Sequence, residues 1–230
     1  MKTIGLIGGM SWESSKVYYE YLNRLVQREL GGSHSAKIIM SSVDFSEIEQ
    51  YSFEGNWNAI GMLMATEAAK LEKAGADVVV LCTNTIHLVS DKIEQAISIP
   101  FLHIAEAAGR AIQEEGVQKV ALLGTQFTME KDFYTKILNE KYGLEVLLPK
   151  LEDRKSLQDI IYNELVKGKF TEMAKTKCLE IIGELEAEGA QGVILGCTEL
   201  PILIPDDAVE IPTFDTTLLH SKMALDFALN

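Results

Sequence analysis

Two short segments carry reactive groups at the same point of an internal repeat. Residues 72–85 read EKAGADVVVLCTNT and residues 186–199 read EAEGAQGVILGCTE, and the two align without a gap. Each holds a helix end, a glycine stop, a buried strand and a polar turn rich in small hydroxyl, thiol and amide groups. Cys197 stands in the second turn. A thiol between a strand C-end and a helix N-terminus is expected to have a lowered pKa. Its thiolate could serve as a nucleophile, a redox centre or a base that removes a proton from carbon. A lone cysteine is more often inert packing. Gly196, which lets backbone approach closely, and Thr198, which adds a donor, favour the functional reading.

The register of the repeat separates the cysteines. Cys197 aligns with Thr83, and Cys82 aligns with Gly196. Side chains alternate faces along a strand, so Cys82 and Thr83 point to opposite sides. The site position therefore falls to Thr83, and Cys82 is read as packing. Cys178 lies on an apolar helical stripe and is read as packing too. Asn84 and Thr85 offer amide and hydroxyl donors suited to a carboxylate, or caps for the following helix, and both roles can hold at once. His87 is equally readable as structural or catalytic. Glu199 is an acid–base assistant or a first-turn acid suited to the helix dipole.

These groups need elements to position them. Apolar, β-rich runs fall at 3–7, 37–41, 77–81, 101–104, 119–123, 145–148, 192–195 and 211–214. Between them lie helical periods. Trp57, Ile60, Met64, Ala68 and Leu71 form one stripe ending at Gly75, and Cys178, Ile181, Ile182 and Leu185 form another ending at Gly189. Short buried strands alternating with helices predict parallel sheets covered on both faces. The repeat extends further. Each half begins with a strand leading to glycine (Gly8, Gly124), and each ends with a short strand entered through Ile-Pro (Ile99-Pro100, Ile211-Pro212). The expectation is α/β: two pseudo-symmetric four-stranded parallel-sheet domains with the active site in the cleft between them. The first spans residues 1–104 plus 215–230, the last helix packing back, and the second spans 105–214.

Bulk properties narrow the function. The chain has 230 residues, 47% of them hydrophobic, and a net charge of −13, with a pI near 4.8. Such a balance argues against nucleic-acid binding, which needs a basic face. No apolar run reaches membrane-spanning length. The start reads as a first strand and turn rather than a secretory signal. Three cysteines without C-x-x-C or zinc spacing suggest neither a disulfide framework nor a metal, and a cytoplasmic location. The turn after the first strand lacks both the G-x-G-x-x-G spacing and a G-K-[ST] ending, so neither nucleotide motif is present. Asp44 alone is a weak substitute for a ribose-binding acid.

With I-G-L-I-G-G-M at 4–10, N-T-x-H at 84–87 and G-C-T-E at 196–199, the chain resembles the aspartate/glutamate racemase family over essentially its full length. It looks most like bacterial amino-acid racemases beginning K-T-I-G-L-x-G-G-M-S-W-E-S. The resemblance implies a homodimer that racemises without pyridoxal phosphate or metal. Two cysteines on opposite faces of Cα would exchange a proton, and the substrate α-carboxylate would sit on turn amides. That role carries over to Asn84, Thr85 and Thr198, with Met10 nearby and Glu199 completing the set.

Two departures stand out. The family's first catalytic cysteine precedes Asn-Thr, and here that residue is Thr83, a far weaker acid than a thiol. The resemblance therefore implies that Cys197 serves L-amino acids while Thr83 is a poor base towards D. Equilibrium forbids a one-way racemase, so the asymmetry must lie in rates. The second departure concerns the arginine that commonly holds the side-chain carboxylate after the second strand. Residues 42–50 contain no Arg or Lys; Lys167 and Lys169 are the alternatives. Aspartate or glutamate is the leading substrate expectation, beside a broader or neutral polar one. A related isomerase (hydantoin racemase, maleate isomerase) and an amino-acid-binding protein that has lost turnover remain open.

Overall fold

A computed structural model describes all 230 residues. Eight strands form two four-stranded, all-parallel sheets in an α/β arrangement. The strands are β1 (Ile4–Gly8), β2 (Ile38–Ser42), β3 (Val78–Leu81), β4 (Phe101–Leu102), β5 (Lys119–Gly124), β6 (Glu145–Leu147), β7 (Val193–Gly196) and β8 (Thr213–Asp215). The helices begin with α1 (Trp12–Leu30), α2 (Phe45–Phe53), α3 (Trp57–Lys73), α4 (Ser90–Ala96) and α5 (Ile104–Glu114). They continue with α6 (Gln126–Glu130), α7 (Asp132–Tyr142), α8 (Leu151–Asn163), α9 (Glu172–Ala187), α10 (Leu200–Leu203) and α11 (Thr216–Leu229). β4 is shorter than the apolar run suggested, because α5 already begins at Ile104. None of these helices is long and apolar enough to cross a membrane.

The sheets share one strand order, β2-β1-β3-β4 and β6-β5-β7-β8. Their registers reproduce the sequence repeat residue by residue. Leu6 and Ile7 pair with Val80 and Leu81, as Leu122 and Leu123 pair with Ile194 and Leu195. Val79 N–H donates to Pro100 O and Val193 N–H to Pro212 O, each at 2.9 Å. Both helices that precede the repeated strand end on a left-handed glycine, Gly75 at φ 96° and Gly189 at φ 101°. Only glycine takes that conformation without Cβ strain, which explains the shared stop signal.

The chain divides into two compact units, Met1–Ile104 with His220–Asn230, and Ala105–Leu219. The return to the first unit thus comes at His220, and β8 with the first turn of α11 stays with the second.

In the first unit, alternation along β1 and β3 feeds two cores. Ile7, Val79 and Leu81 pack against Ile60, Met64, Ala68 and Leu71 of α3, the stripe read from the sequence. Ile4, Leu6, Val78, Val80 and Cys82 pack on the opposite face, against Tyr18 and Leu22 of α1 and Ala224 and Ala228 of α11. In the second unit, Ala121, Leu123, Val193 and Leu195 meet Leu157 and Ile161 of α8 and Cys178, Ile181, Ile182 and Leu185 of α9.

Candidate functional site

Both repeated turns begin where a buried strand leaves its ladder. β3 ends at Leu81, and Cys82 N–H still donates to Ile7 O at 2.9 Å. Thr83 follows and is half-buried, while Cys82 is fully buried. Burial pushes the Cys82 thiol well up, so this cysteine is a small hydrophobe. Cys178 is likewise enclosed, and burial pushes its thiol up to about 12. Cys82 is thus part of the core, as the register of the repeat suggested.

The repeat also explains why the second half has glycine where the first has Cys82. A Cβ on Gly196 would lie 2.8 Å from the Leu123 carbonyl oxygen. That is inside van der Waals contact, so the second unit has no room for a side chain there, and its thiol stands one residue later.

Cys197 follows β7 and backs onto the second unit's core. Its Sγ–H donates to Glu199 Oε2 at 2.9 Å, and the Thr198 hydroxyl donates to the same oxygen at 2.6 Å. All three side chains are buried. This corrects the expectation of a lowered thiol pKa. Burial first, and the Glu199 carboxylate second, push Cys197 well above its ordinary value; the backbone N–H groups of Glu199 and Thr198 pull the other way and lose. The physical reason is local. α10 has only four residues, so little dipole accumulates. A carboxylate two residues away destabilises the thiolate more than two amides stabilise it.

The other expected residues are placed unevenly. Asn84 is buried and precedes a 3-10 turn, Thr85–Val89, but its side chain makes no cap bond to that turn. Thr85 is half-buried at the start of the turn. The Met10 side chain is packed in the first unit's core with Ile7, Ile48 and Met64, so only its main chain is available to a ligand. Lys167 and Lys169 are exposed. Glu199 occupies the N-cap position of α10 without capping it; its carboxylate is committed to Cys197 and Thr198.

Around Thr83 the structure gathers His87 of the N-T-x-H motif together with His103 and His220, which no sequence motif announced. The Thr83 carbonyl accepts from His87 Nδ1–H at 2.7 Å, and Ile104 N–H donates to His87 Nε2 at 3.2 Å. The ring centroids of His103 and His220 lie 4.6 and 5.7 Å from that of His87. His220 Nε2–H donates to Leu102 O at 2.8 Å, and its Nδ1 accepts from the Tyr18 hydroxyl at 2.9 Å. His220 lies far from the motif in sequence, and only the fold of α11 brings it here. No group of three or more His, Cys, Asp or Glu side chains is arranged to hold a metal ion.

The second turn can thus hold one shared proton and one negative charge on a thiol–carboxylate pair. The first presents a hydroxyl residue whose main chain is held by a buried histidine. Comparison with known proteins agrees on what such a chain resembles. A profile of the family described as Asp/Glu/Hydantoin racemase matches residues 7–224. The broad specificity amino-acid racemase RacX of Bacillus subtilis (strain 168) is 27% identical over 230 residues, covering 95% of each chain. A solved structure of a candidate Asp/Glu racemase from Yersinia pestis superposes with a TM-score of 0.94 at 48% identity, covering 100% of both chains. An aspartate racemase homologue from Pyrococcus horikoshii OT3 superposes with a TM-score of 0.86 at 36% identity, again covering 100% of both.

Proposed function

Because the chain belongs to the Asp/Glu/hydantoin racemase family, a family of isomerases, we propose that it is a cofactor-independent amino-acid racemase acting on L-aspartate and L-glutamate. The observation that carries the reading is the buried hydrogen bond from Cys197 to Glu199. A raised thiol pKa is a poor start for a base that must release its proton to water. It is a workable start for a base that releases its proton to a carboxylate already bonded to it. In this reading the proton moves from Cys197 Sγ to Glu199 Oε2, so that the pair carries a single negative charge before and after this transfer, avoiding two buried anions side by side, and becomes neutral when the α-proton arrives and the charge passes to the substrate.

The thiolate then takes the α-proton of the L-substrate. The Cα–H bond breaks, its electron pair passes into the α-carboxylate as an enediolate, and Cys197 is again a thiol. The Thr83 hydroxyl, at the repeat position of the second acid, gives its proton to the opposite face as the enediolate electron pair forms the new Cα–H bond; the cycle closes when Glu199 releases its proton to solvent and the Thr83 oxygen takes one back. The α-carboxylate rests on donors of the turns, from Asn84, Thr85 and Thr198 and from the main chain at Met10. Such pre-aimed donors stabilise the charge as it develops. The working form in this reading is a cytoplasmic homodimer.

The rates are unequal by design. Cys197 has a bonded carboxylate to receive its proton; the hydrogen bonds at Thr83 run through its main chain. Abstraction from the D-enantiomer is the slower step, and equality of kcat/KM in the two directions is preserved by compensating KM values.

One observation favours a broader substrate range. Residues 42–50, after β2, contain no arginine or lysine to hold a side-chain carboxylate. Chiral chromatography of reactions with L-aspartate, L-glutamate, a panel of neutral L-amino acids and a hydantoin tests both readings. D-Aspartate or D-glutamate formation supports the main proposal. Turnover confined to neutral amino acids or to the hydantoin replaces the substrate assignment, and no turnover of any of them removes the racemase reading.

A further inference from the structure

The two turns are equivalent in sequence register but are held in different ways. In the second unit, the Cys197 carbonyl accepts from the main-chain N–H of Leu200 at 3.2 Å. In the first, the Thr83 carbonyl accepts from a side chain, His87 Nδ1–H, at 2.7 Å. The repeat places Pro201 opposite His87, so the second unit has no counterpart of this ring.

His87 is fully buried, and both its nitrogens are engaged. A carbonyl at Nδ1 requires a proton there, and an N–H at Nε2 requires a lone pair there. The ring is therefore the neutral Nδ1–H tautomer, with no proton to give or take in turnover. Its second bond anchors it to Ile104 N–H, just beyond β4. The neighbouring strand end is itself tied at Leu102 O by His220, which Tyr18 orients in turn. The ring also lies against Phe101, centroid to centroid 5.5 Å. The result is a rigid strut from the end of β4 to the Thr83 peptide, at the point where that peptide has left the β3 ladder.

We propose that His87 is a positioning residue for Thr83, and that it governs the proton-transfer step made by Thr83 without affecting the step made by Cys197. The inference rests on the racemase reading above. A hydroxyl that is an intrinsically weak acid has the most to lose from misplacement, since a shift of about 1 Å can cost on the order of a hundredfold in rate.

Conservative variants separate the two bonds of the strut. In His87→Asn, the amide nitrogen can take the place of Nδ1 and keep the bond to Thr83 O. In His87→Gln, the amide oxygen can take the place of Nε2 and keep the bond to Ile104 N–H, while the Thr83 bond is lost. Turnover is measured with α-protiated and α-deuterated L- and D-aspartate, and with the glutamate pair alongside. The expected result is a loss of kcat/KM of roughly tenfold or more in His87→Gln and near wild-type values in His87→Asn. In His87→Gln the substrate isotope effect from the L side should shrink as the Thr83 step becomes limiting, and the effect from the D side should persist. A merely destabilised enzyme would lose activity with both isotope effects unchanged. That outcome, or equal behaviour of the two variants, overturns the proposal.

A measurement on the wild-type protein covers the case in which the variants do not fold. Nitrogen-15 spectra should show His87 as the Nδ1–H tautomer, constant between pH 5 and 8. An Nε2–H tautomer, or titration in that range, overturns the proposal. Wild-type protein that turns over neither the acidic nor the neutral amino acids nor the hydantoin removes the racemase reading instead. Turnover with an indifferent His87 removes only the positioning role.

Discussion

Cys197 Sγ donates to Glu199 Oε2 at 2.9 Å inside the second unit, and the Thr198 hydroxyl shares that oxygen. The thiol proton therefore points at a carboxylate oxygen rather than at solvent. Replacing Glu199 by glutamine removes the proton acceptor and also the charge that raises the thiol. Glu199→Gln should lower kcat by about a hundredfold or more, a typical loss for a missing general base. The pH midpoint of Cys197 alkylation should nevertheless move down, because the anion that raised it is gone. Loss of activity with an upward midpoint would contradict the pair.

The three cysteines should behave as three different residues. Cys82→Ala removes a packed sulfur from the face shared with Val78, Val80 and Tyr18. It should cost on the order of 1 to 2 kcal/mol of stability and leave turnover within about twofold. Cys197→Ala should abolish turnover at little cost in stability. Denaturant melts and initial rates on the two proteins check the contrast. Full loss of activity in a folded Cys82→Ala protein would mean the register was misread.

Thr83→Cys restores a thiol at the repeat-equivalent position. The D-side abstraction should then accelerate, so kcat from D-aspartate or D-glutamate should rise by about tenfold or more. Rates measured from both enantiomers check this. An unchanged D-side kcat, with the L-side intact, would show that Thr83 takes no part in proton transfer.

Buried neutral histidines make the fold sensitive to acid. Burial, with smaller contributions from neighbouring histidines, holds His87 well below the ordinary value, and burial holds His220 at about 3 against 6.5. The sign follows from proton counting. Between those values the unfolded chain binds protons that the folded chain refuses, so stability falls as pH drops from about 6.5 towards 3. Each such histidine contributes about 1.4 kcal/mol per pH unit over that interval. Urea unfolding at pH 7, 6 and 5 should show this slope, and His220→Gln should reduce it. A flat profile in both proteins would contradict the buried neutral assignment.

Much of the architecture was legible because it is written twice. The glycine stops at Gly75 and Gly189, the aligned strands behind Leu81 and Leu195, and the Ile-Pro entries recur in register. Alternation, together with the register of the repeat, was enough to place Cys82 in the core. The pKa of Cys197 was not legible, since sequence does not show that α10 is a single turn, too short to carry much dipole. Nor could sequence show that Glu199 turns back onto the thiol, which depends on turn geometry. The Met10 side chain lies in the core, which sequence did not show. His220 and Tyr18 carry no motif; they meet only because α11 packs beside α1 on the first sheet.

The central claim is that Cys197 removes a proton from the α-carbon of L-aspartate or L-glutamate. Proton NMR in D₂O tests it most directly, by following the α-proton signal of L-aspartate and of L-glutamate with wild-type enzyme and with Cys197→Ser. The account predicts that the wild-type enzyme erases the α-proton signal of at least one of them as deuterium enters, and that Cys197→Ser leaves both signals intact. Persistence of both signals with the wild-type enzyme, or their loss with Cys197→Ser at an undiminished rate, would contradict it.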